Sequence, residues 1–350
     1  MGGALTRWLV VGAGRHADRF GLPGLAGSTS VEAAALCGSD EARVARIAAR
    51  HGVPRWSTSL EKLLADPGIT HVYVCSANAW HERQATLAAA AGKHVLCEKP
   101  LAPDVAAARR MVDACAKHGV VLGTGFHLRH NAANARARRL VAGGGIGDPL
   151  WVRVDYLHAL GEDDTARRLS ASRSVATPSA GTLAGTGAHA VDLARWLLGD
   201  EIASVAAAMA ETDPLGAFGA QRVVHLTGAS ARGALVTVTA GRSRYPGNGI
   251  TVTGSRGHVT ITGSTGYHGG GVVRAVSDHG DQTFEVPPHD VYRDQFEAFA
   301  AATSAGGPAS ASGADGVAAL SVADAAERSL AAAGSPVNVS DIVFFQEGVS

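Results

Sequence analysis

An excess charge of either sign is missing from this chain. Its 31 lysine and arginine residues are balanced by 31 aspartate and glutamate residues, and no block of like charge occurs. Nucleic acid therefore has no electrostatic footprint to bind, and small neutral partners are favoured. Long apolar runs are missing too. The apolar stretch within MGGALTRWLVVGAG is too short to span a bilayer and runs into glycines without a cleavage-site pattern. A chain without membrane association, resident in the cytoplasm, is expected. Cysteine is scarce, and Cys37, Cys75, Cys97 and Cys115 lack the spacing of metal ligands. Three of them close apolar runs, so buried reduced thiols are expected and no metal site. No repeat of the whole chain is visible.

What is present suits two domains: 350 residues, 46% of them hydrophobic, supply ample core material. Residues 6–125 alternate short apolar runs with alanine-rich helical stretches, the pattern of a parallel sheet. Strands are predicted at Arg7 to Val11, Val31 to Cys37, His71 to Cys75, His94 to Cys97 and Val120 to Thr124. Helices are predicted at Asp40 to His51, Trp80 to Ala91 and Asp104 to His118. Asp40, Ser59 and Asp104 stand as N-caps, and Gly52, Gly92 and Gly119 close three helices. Beyond residue 126 longer alternating runs appear: Leu150 to Leu157, Ala203 to Glu211, Gln221 to Leu226, Ala234 to Gly241 and Gly249 to Thr253. They predict a mainly antiparallel sheet, with helices at Ala188 to Leu198, Tyr292 to Thr303 and Gly313 to Ala333. The expected fold class is thus α/β: a Rossmann dinucleotide-binding domain over 1–126, then an α+β domain over 127–350 for substrate binding and oligomerisation. The run Gly266 to Gly271 reads as a flexible hairpin, because no strand-turn-helix context supports a phosphate loop there.

The chemistry begins at Gly12-Ala13-Gly14-Arg15-His16-Ala17, which follows an apolar strand and precedes a helix. Gly12 permits the tight bend, and Gly14 lets the backbone approach a pyrophosphate at a helix N-terminus. Downstream, Leu36-Cys37-Gly38-Ser39-Asp40 ends the second strand, and no carboxylate stands at Gly38 to meet the adenosine ribose. Without it the 2′-phosphate of NADP meets no repulsion near Ser39, and Arg43 is a candidate bidentate donor to it. NADP(H) is the expected coenzyme. Asp40 keeps NAD(H) open, and a solvated Arg43 is the plain alternative.

Several motifs in order then resemble the glucose-fructose oxidoreductase, inositol dehydrogenase and rhizopine-catabolism family, Gfo/Idh/MocA. They are the Gly12 turn, Ser76-Ala77-Asn78-Ala79-Trp80-His81, the stretch Ala91 to Pro100 containing Cys97-Glu98-Lys99-Pro100, Gly187 to Trp196, and Tyr292 to Phe299. The resemblance covers nearly the whole chain. It implies a nicotinamide coenzyme contacted by Gly12, Gly14, Arg15, His16, Ser39, Arg43, Ser76, Asn78, His81, Glu98, Lys99 and Pro100. Sugars, cyclitols and their keto forms are the implied substrates, and a homodimer or homotetramer the implied assembly. Lys99 becomes the catalytic candidate, with Pro100 shaping its loop through a peptide that is often cis in the family. Partial burial and a nicotinamide cation both disfavour a lysine's charge, which moves its pKa toward the working range.

The family also places a substrate histidine at His189, with Asp192 three residues on along the same helical face. Asp192 either contacts substrate, orients His189 or pairs with Arg195. One departure stands out: many dehydrogenase members carry aspartate where this chain has Gly185. Tyr156 and His127 are the candidates to replace its proton-handling and substrate contacts, Tyr156 as a phenolic donor and His127 as a shuttle. Arg167, Arg168 and Arg173 lie ahead of the site, where they either clasp an anionic substrate group or are simply solvated. Three functions follow: reduction of a keto group on a sugar, nucleotide-linked sugar or cyclitol; reduction of a carbon-nitrogen double bond in a biosynthetic pathway; or redox-silent nicotinamide binding.

Overall fold

A computed structural model describes residues 5–159, 181–211, 222–243 and 246–339. They form two compact units. The first comprises residues up to His130 together with Asp290–Val317, and the second the described residues of 131–289 and those beyond 317. The segment after Asp290 therefore returns to the first unit, although it follows the second in sequence.

The first unit is built on a six-stranded sheet of order β3-β2-β1-β4-β5-β6. Its strands are β1 (Thr6–Val11), β2 (Val31–Cys37), β3 (Trp56–Ser57), β4 (His71–Val74), β5 (His94–Cys97) and β6 (Leu122–Thr124). All neighbours are parallel, and β1 pairs with β2 on one side and β4 on the other. Strands covered on both faces read as continuous apolar runs, and β4 is buried at all four residues. The helices are α1 (Leu22–Ala26), α2 (Glu41–His51), α3 (Leu60–Leu64), α4 (His81–Ala90) and α5 (Val105–Lys117). The three expected N-caps are made: Asp40, Ser59 and Asp104 accept the backbone N–H of Arg43, Lys62 and Ala107. The core centres on Trp8, wholly buried, whose ring meets Phe296 at 5.1 Å and Phe299 at 5.7 Å on helix α8 (Val291–Ser304).

The order of this sheet reverses between β1 and β4. In doubly wound sheets that crevice, at the carboxyl ends of the strands, is where a ligand binds.

In the second unit a nine-stranded sheet runs β14-β13-β12-β11-β7-β10-β9-β8-β15. The strands are β7 (Pro149–Ala159), β8 (Ile202–Glu211), β9 (Arg222–Ser230), β10 (Leu235–Ser243), β11 (Gly249–Gly254), β12 (Gly257–Thr262), β13 (Gly271–Ser277), β14 (Gly280–Val286) and β15 (Val337–Asn338). Only β7 and β10 are parallel, so the sheet is mainly antiparallel as expected. Alternation sets its faces: Val152, Val154, Tyr156, Val236, Val238, Ile250 and Val252 are buried. Helices α6 (Ala132–Ala142) and α7 (Ala188–Leu198) pack on the sheet. Helix α9 (Gly313–Ala331) leads into β15, where the described course ends.

The sequence reading did not find β12, β13 or β14. Most of β14 is exposed, so it lacks the apolar alternation that marks a half-buried strand. Gly266 to Gly271 lies in the connection between antiparallel β12 and β13, as a hairpin reading requires.

Candidate active site

The glycine turn follows β1 and opens a groove of about 640 Å³ across the carboxyl ends of the first sheet. Gly12 has φ +117°, and a Cβ there would stand 2.7 Å from the Ser76 backbone nitrogen, so only glycine fits. A Cβ at Gly14 would meet nothing within 4 Å. The backbone at Gly14 is thus open to the groove, while Ala17 behind it is fully buried. A dinucleotide pyrophosphate fits this cradle.

At the ribose end the groove is walled by Ser39, Asp40, Arg43, Thr58 and Glu61. Gly38 is crowded: a Cβ would come within 2.5 Å of Val44 and 2.8 Å of Ala13. A carboxylate on that residue is therefore excluded by packing as well as absent from the sequence. Asp40 is held by the Arg43 backbone N–H at 2.9 Å and its guanidinium at 3.1 Å. Those Arg43 contacts keep the Asp40 carboxyl below its ordinary range.

Of the expected cofactor residues, the groove brings together Gly12, Gly14, Arg15, His16, Ser39, Arg43 and Ser76, but Asn78, His81, Glu98, Lys99 and Pro100 do not line it. His81 is wholly buried, with Nδ1 3.1 Å from the Pro100 carbonyl and Nε2 3.3 Å from that of Ser76. It ties the Ser76 loop to the Lys99 loop. Burial lowers its pKa, opposed by those carbonyls. The sequence reading missed Trp80, 52% exposed on the groove wall with the Arg83 guanidinium 6.0 Å above its ring.

Lys99 follows β5 and is half-buried, joined to Pro100 by a cis peptide. Burial lowers its pKa, opposed by the neighbouring Glu98 carboxylate. Glu98 itself turns inward, accepting from the Tyr73 hydroxyl at 2.7 Å and lying 3.1 Å from His16 Nε2. Its second oxygen accepts the Lys99 backbone N–H. Burial pushes this carboxyl up, but the His16 charge and contact, the Lys99 ammonium and the Tyr73 hydroxyl outweigh it, leaving the pKa at about 2. Tyr73 is another residue that the sequence reading missed.

A pKa of about 2 against an ordinary 4.5 has a consequence for stability. Glu98 contributes roughly 3 kcal/mol above pH 5, and this is lost as pH falls from 4.5 toward 2. Glu98→Gln is expected to flatten the acid limb of the stability profile, read by urea unfolding at stepped pH. A variant as acid-sensitive as the parent would contradict it.

His127, expected as a proton shuttle, is 1% exposed and stacked on Tyr292 at 4.7 Å. Burial holds its pKa at about 3, so the ring is neutral near pH 7.

The second unit gathers the remaining candidates. His189 opens α7 and lies 5.8 Å from the Tyr156 ring, edge to face. Both are buried, and burial raises the Tyr156 phenol above its ordinary range, so it stays protonated. Asp192 is 3.6 Å from Arg195, whose guanidinium also grips Glu201 bidentately at 2.6 and 2.7 Å. The pairing of Asp192 with Arg195 is thus made. A Cβ at Gly185 would meet nothing within 4 Å, so packing does not forbid a side chain there. Arg167, Arg168 and Arg173 lie outside the described residues. Among the described residues no helix is long and apolar enough to cross a membrane, and no group of three metal-ligating side chains occurs.

Comparison with known proteins extends these observations. Residues 6–126 match the sequence model of an oxidoreductase family with an NAD-binding Rossmann fold, and residues 134–260 match the GFO/IDH/MocA C-terminal domain. The chain is 31% identical to the 1,5-anhydro-D-fructose reductase of Ensifer adhaerens, over 89% of this chain and 92% of that one. It is 30% identical to inositol 2-dehydrogenase 2 of Saccharopolyspora erythraea, over 88% of each. Among solved structures it is similar to the aldose-aldose oxidoreductase from Caulobacter crescentus complexed with glycerol. That match has a TM-score of 0.84 and 27% identity, covering 96% of this chain and 100% of the other.

Proposed function

We propose, from the premise that this chain belongs to the Gfo/Idh/MocA family of NAD(P)-dependent oxidoreductases, that it uses NADP(H) to reduce a keto group on a sugar, nucleotide-linked sugar or cyclitol. The observation that carries the reading is Lys99: half-buried, its charge disfavoured by burial, and anchored through Glu98 to His16, which lines the dinucleotide groove. A reduced nicotinamide held in that groove supplies the hydride. Lys99 holds the substrate carbonyl oxygen and gives up its proton as the alkoxide develops. His189 and Tyr156, both in the second unit, hold substrate hydroxyls, and Tyr156, kept protonated by burial, does so as a donor. The second unit is accordingly read as the substrate-binding part, and a homodimer or homotetramer as the assembly.

The coenzyme preference rests on the ribose end of the groove. Gly38 has no room for a side chain, and Asp40 is engaged by Arg43, so no described carboxylate beside the β2 end is left uncompensated against a 2′-phosphate. Glu61 reaches the same groove but lies 3.6 Å from Arg83. Ser39→Asp is expected to raise the Kd for NADPH roughly tenfold, about 1.4 kcal/mol, while changing that for NADH no more than about twofold. Fluorescence titration with both coenzymes tests this. An equal loss for both would remove the ribose-end assignment.

The test of the function itself is NADPH oxidation by the purified protein against keto-sugars, nucleotide-linked keto-sugars, keto-cyclitols and cyclic imines, with product analysis. Alcohol formation supports the proposal, amine formation transfers it to carbon-nitrogen reduction, and tight coenzyme binding without turnover contradicts it.

A further inference from the structure

We propose that Tyr267, at the tip of the hairpin between β12 and β13, forms with His158 an aromatic platform that receives the C–H face of a cyclic polyol. The inference rests on the reading of the substrate as a ring-shaped sugar or cyclitol.

The hairpin expected to be flexible is clasped at its base. The Asn131 side chain, wholly buried, donates from Nδ2 to the carbonyls of Ser264 at 3.0 Å and Gly270 at 2.9 Å, which clasps the base of the loop. The His268 carbonyl accepts from the His289 backbone N–H at 2.9 Å. Gly269 and Gly270 take φ of 59° and 77°, and a Cβ on either would come within 3 Å of its neighbours, the His289 ring and the Val286 carbonyl. Backbone packing and one buried amide thus clasp the base of this loop.

The hairpin leaves Tyr267 38% exposed. That ring lies within 19° of parallel to His158, with centroids 6.3 Å apart. His158, half-buried on β7, meets Tyr156 edge to face at 4.9 Å, and Tyr156 meets His189 at 5.8 Å. Four rings therefore run without interruption from His189, buried at the start of α7, to Tyr267 at the surface. The closeness of Tyr267 to Tyr156 is also felt electrostatically, since it adds to the rise in the Tyr156 pKa.

Such a wall suits one ligand chemistry. A pyranose or cyclitol ring has an apolar face of C–H bonds and a rim of hydroxyls, and that face matches the outer face of the Tyr267 ring, which is stacked on His158. An acyclic polyol presents no rigid face and gains little from the same surface. The platform thereby selects closed rings over open chains.

The test uses the full-length protein with NADP+, probed by saturation-transfer difference NMR with myo-inositol and methyl glucoside, glycerol serving as the acyclic control. Strong transfer to ring C–H protons is expected in the parent, with weak transfer to glycerol. Tyr267→Ala is expected to reduce the ring signal at least fivefold and Tyr267→Trp to keep it within about twofold, both at an unchanged melting temperature. In parallel, Tyr267→Ala is expected to raise KM for a cyclic keto substrate roughly tenfold with kcat within about twofold, since the platform holds the ring and leaves the reacting atoms untouched. Parent turnover with KM and saturation transfer indifferent to Tyr267 would overturn the platform and leave the proposed activity standing. Tyr267-dependent saturation transfer without turnover would do the reverse. An absence of both in the parent would overturn the two together.

Discussion

Lys99→Ala is expected to lower kcat by roughly two to four orders of magnitude, the usual size of a general-acid contribution, while the protein still folds and binds nicotinamide coenzyme. The lysine sits beyond β5 with its charge disfavoured by burial and partly restored by Glu98, which is how a proton donor is brought toward the working range. Its removal leaves the groove-lining residues in place, so coenzyme Kd should move little. Lys99→Arg separates the two things a lysine does. Arginine keeps a positive charge beside the carbonyl oxygen but does not give up a proton near neutral pH. If proton donation dominates, Lys99→Arg is as slow as Lys99→Ala; if charge alone matters, it recovers much of the rate. Single-turnover measurements following NADPH absorbance make the comparison, and turnover of Lys99→Ala within about threefold of the parent would take the lysine out of the chemistry.

The largest expected loss of stability comes from Arg195→Met. Arg195 is 1% exposed, its guanidinium gripping Glu201 and lying 3.6 Å from Asp192, both of which are also buried. Removing the cation leaves the buried Glu201 carboxylate without its bidentate partner, a change worth about 3–5 kcal/mol. Replacing the partner as well, in Arg195→Met with Glu201→Leu, is expected to recover a substantial part of that loss, because a well-packed apolar pair escapes the desolvation cost. Urea unfolding of the parent, both single variants and the double variant closes the cycle. A loss under about 1 kcal/mol in Arg195→Met would show that water reaches the pair. Because α7 carries His189 three residues before Asp192, the same substitution should also perturb the start of that helix.

The first sheet was legible because physics leaves few alternatives for it. Strands buried on both faces, such as His71–Val74, read as unbroken apolar runs, and Asp40, Ser59 and Asp104 mark helix starts with hydrogen bonds the structure contains. The second sheet was legible only where one face is apolar. Gly280–Val286 at its edge is mostly solvated, so nothing in its pattern distinguishes a strand from a loop. At the site, motif position located Glu98 and His81 but not the direction of their side chains. Glu98 turns to Tyr73 and His16, and His81 bridges two backbone loops; neither lines the groove. Long-range partners such as Tyr73 carry no local signal, because an apolar alternation identifies a strand and not the carboxylate its phenol will meet. For the same reason the helix Val291–Ser304 was legible as a helix, while its packing against Trp8 of β1 was not.

That helix also sets a timetable for synthesis. Phe296 and Phe299, which press against the Trp8 ring, are made about 290 residues after it. At cellular elongation rates the interval lasts roughly 15–60 s. Throughout it the β1 face bearing Trp8 stands without its native cover on the ribosome. The first unit thus closes only after most of the second has been made.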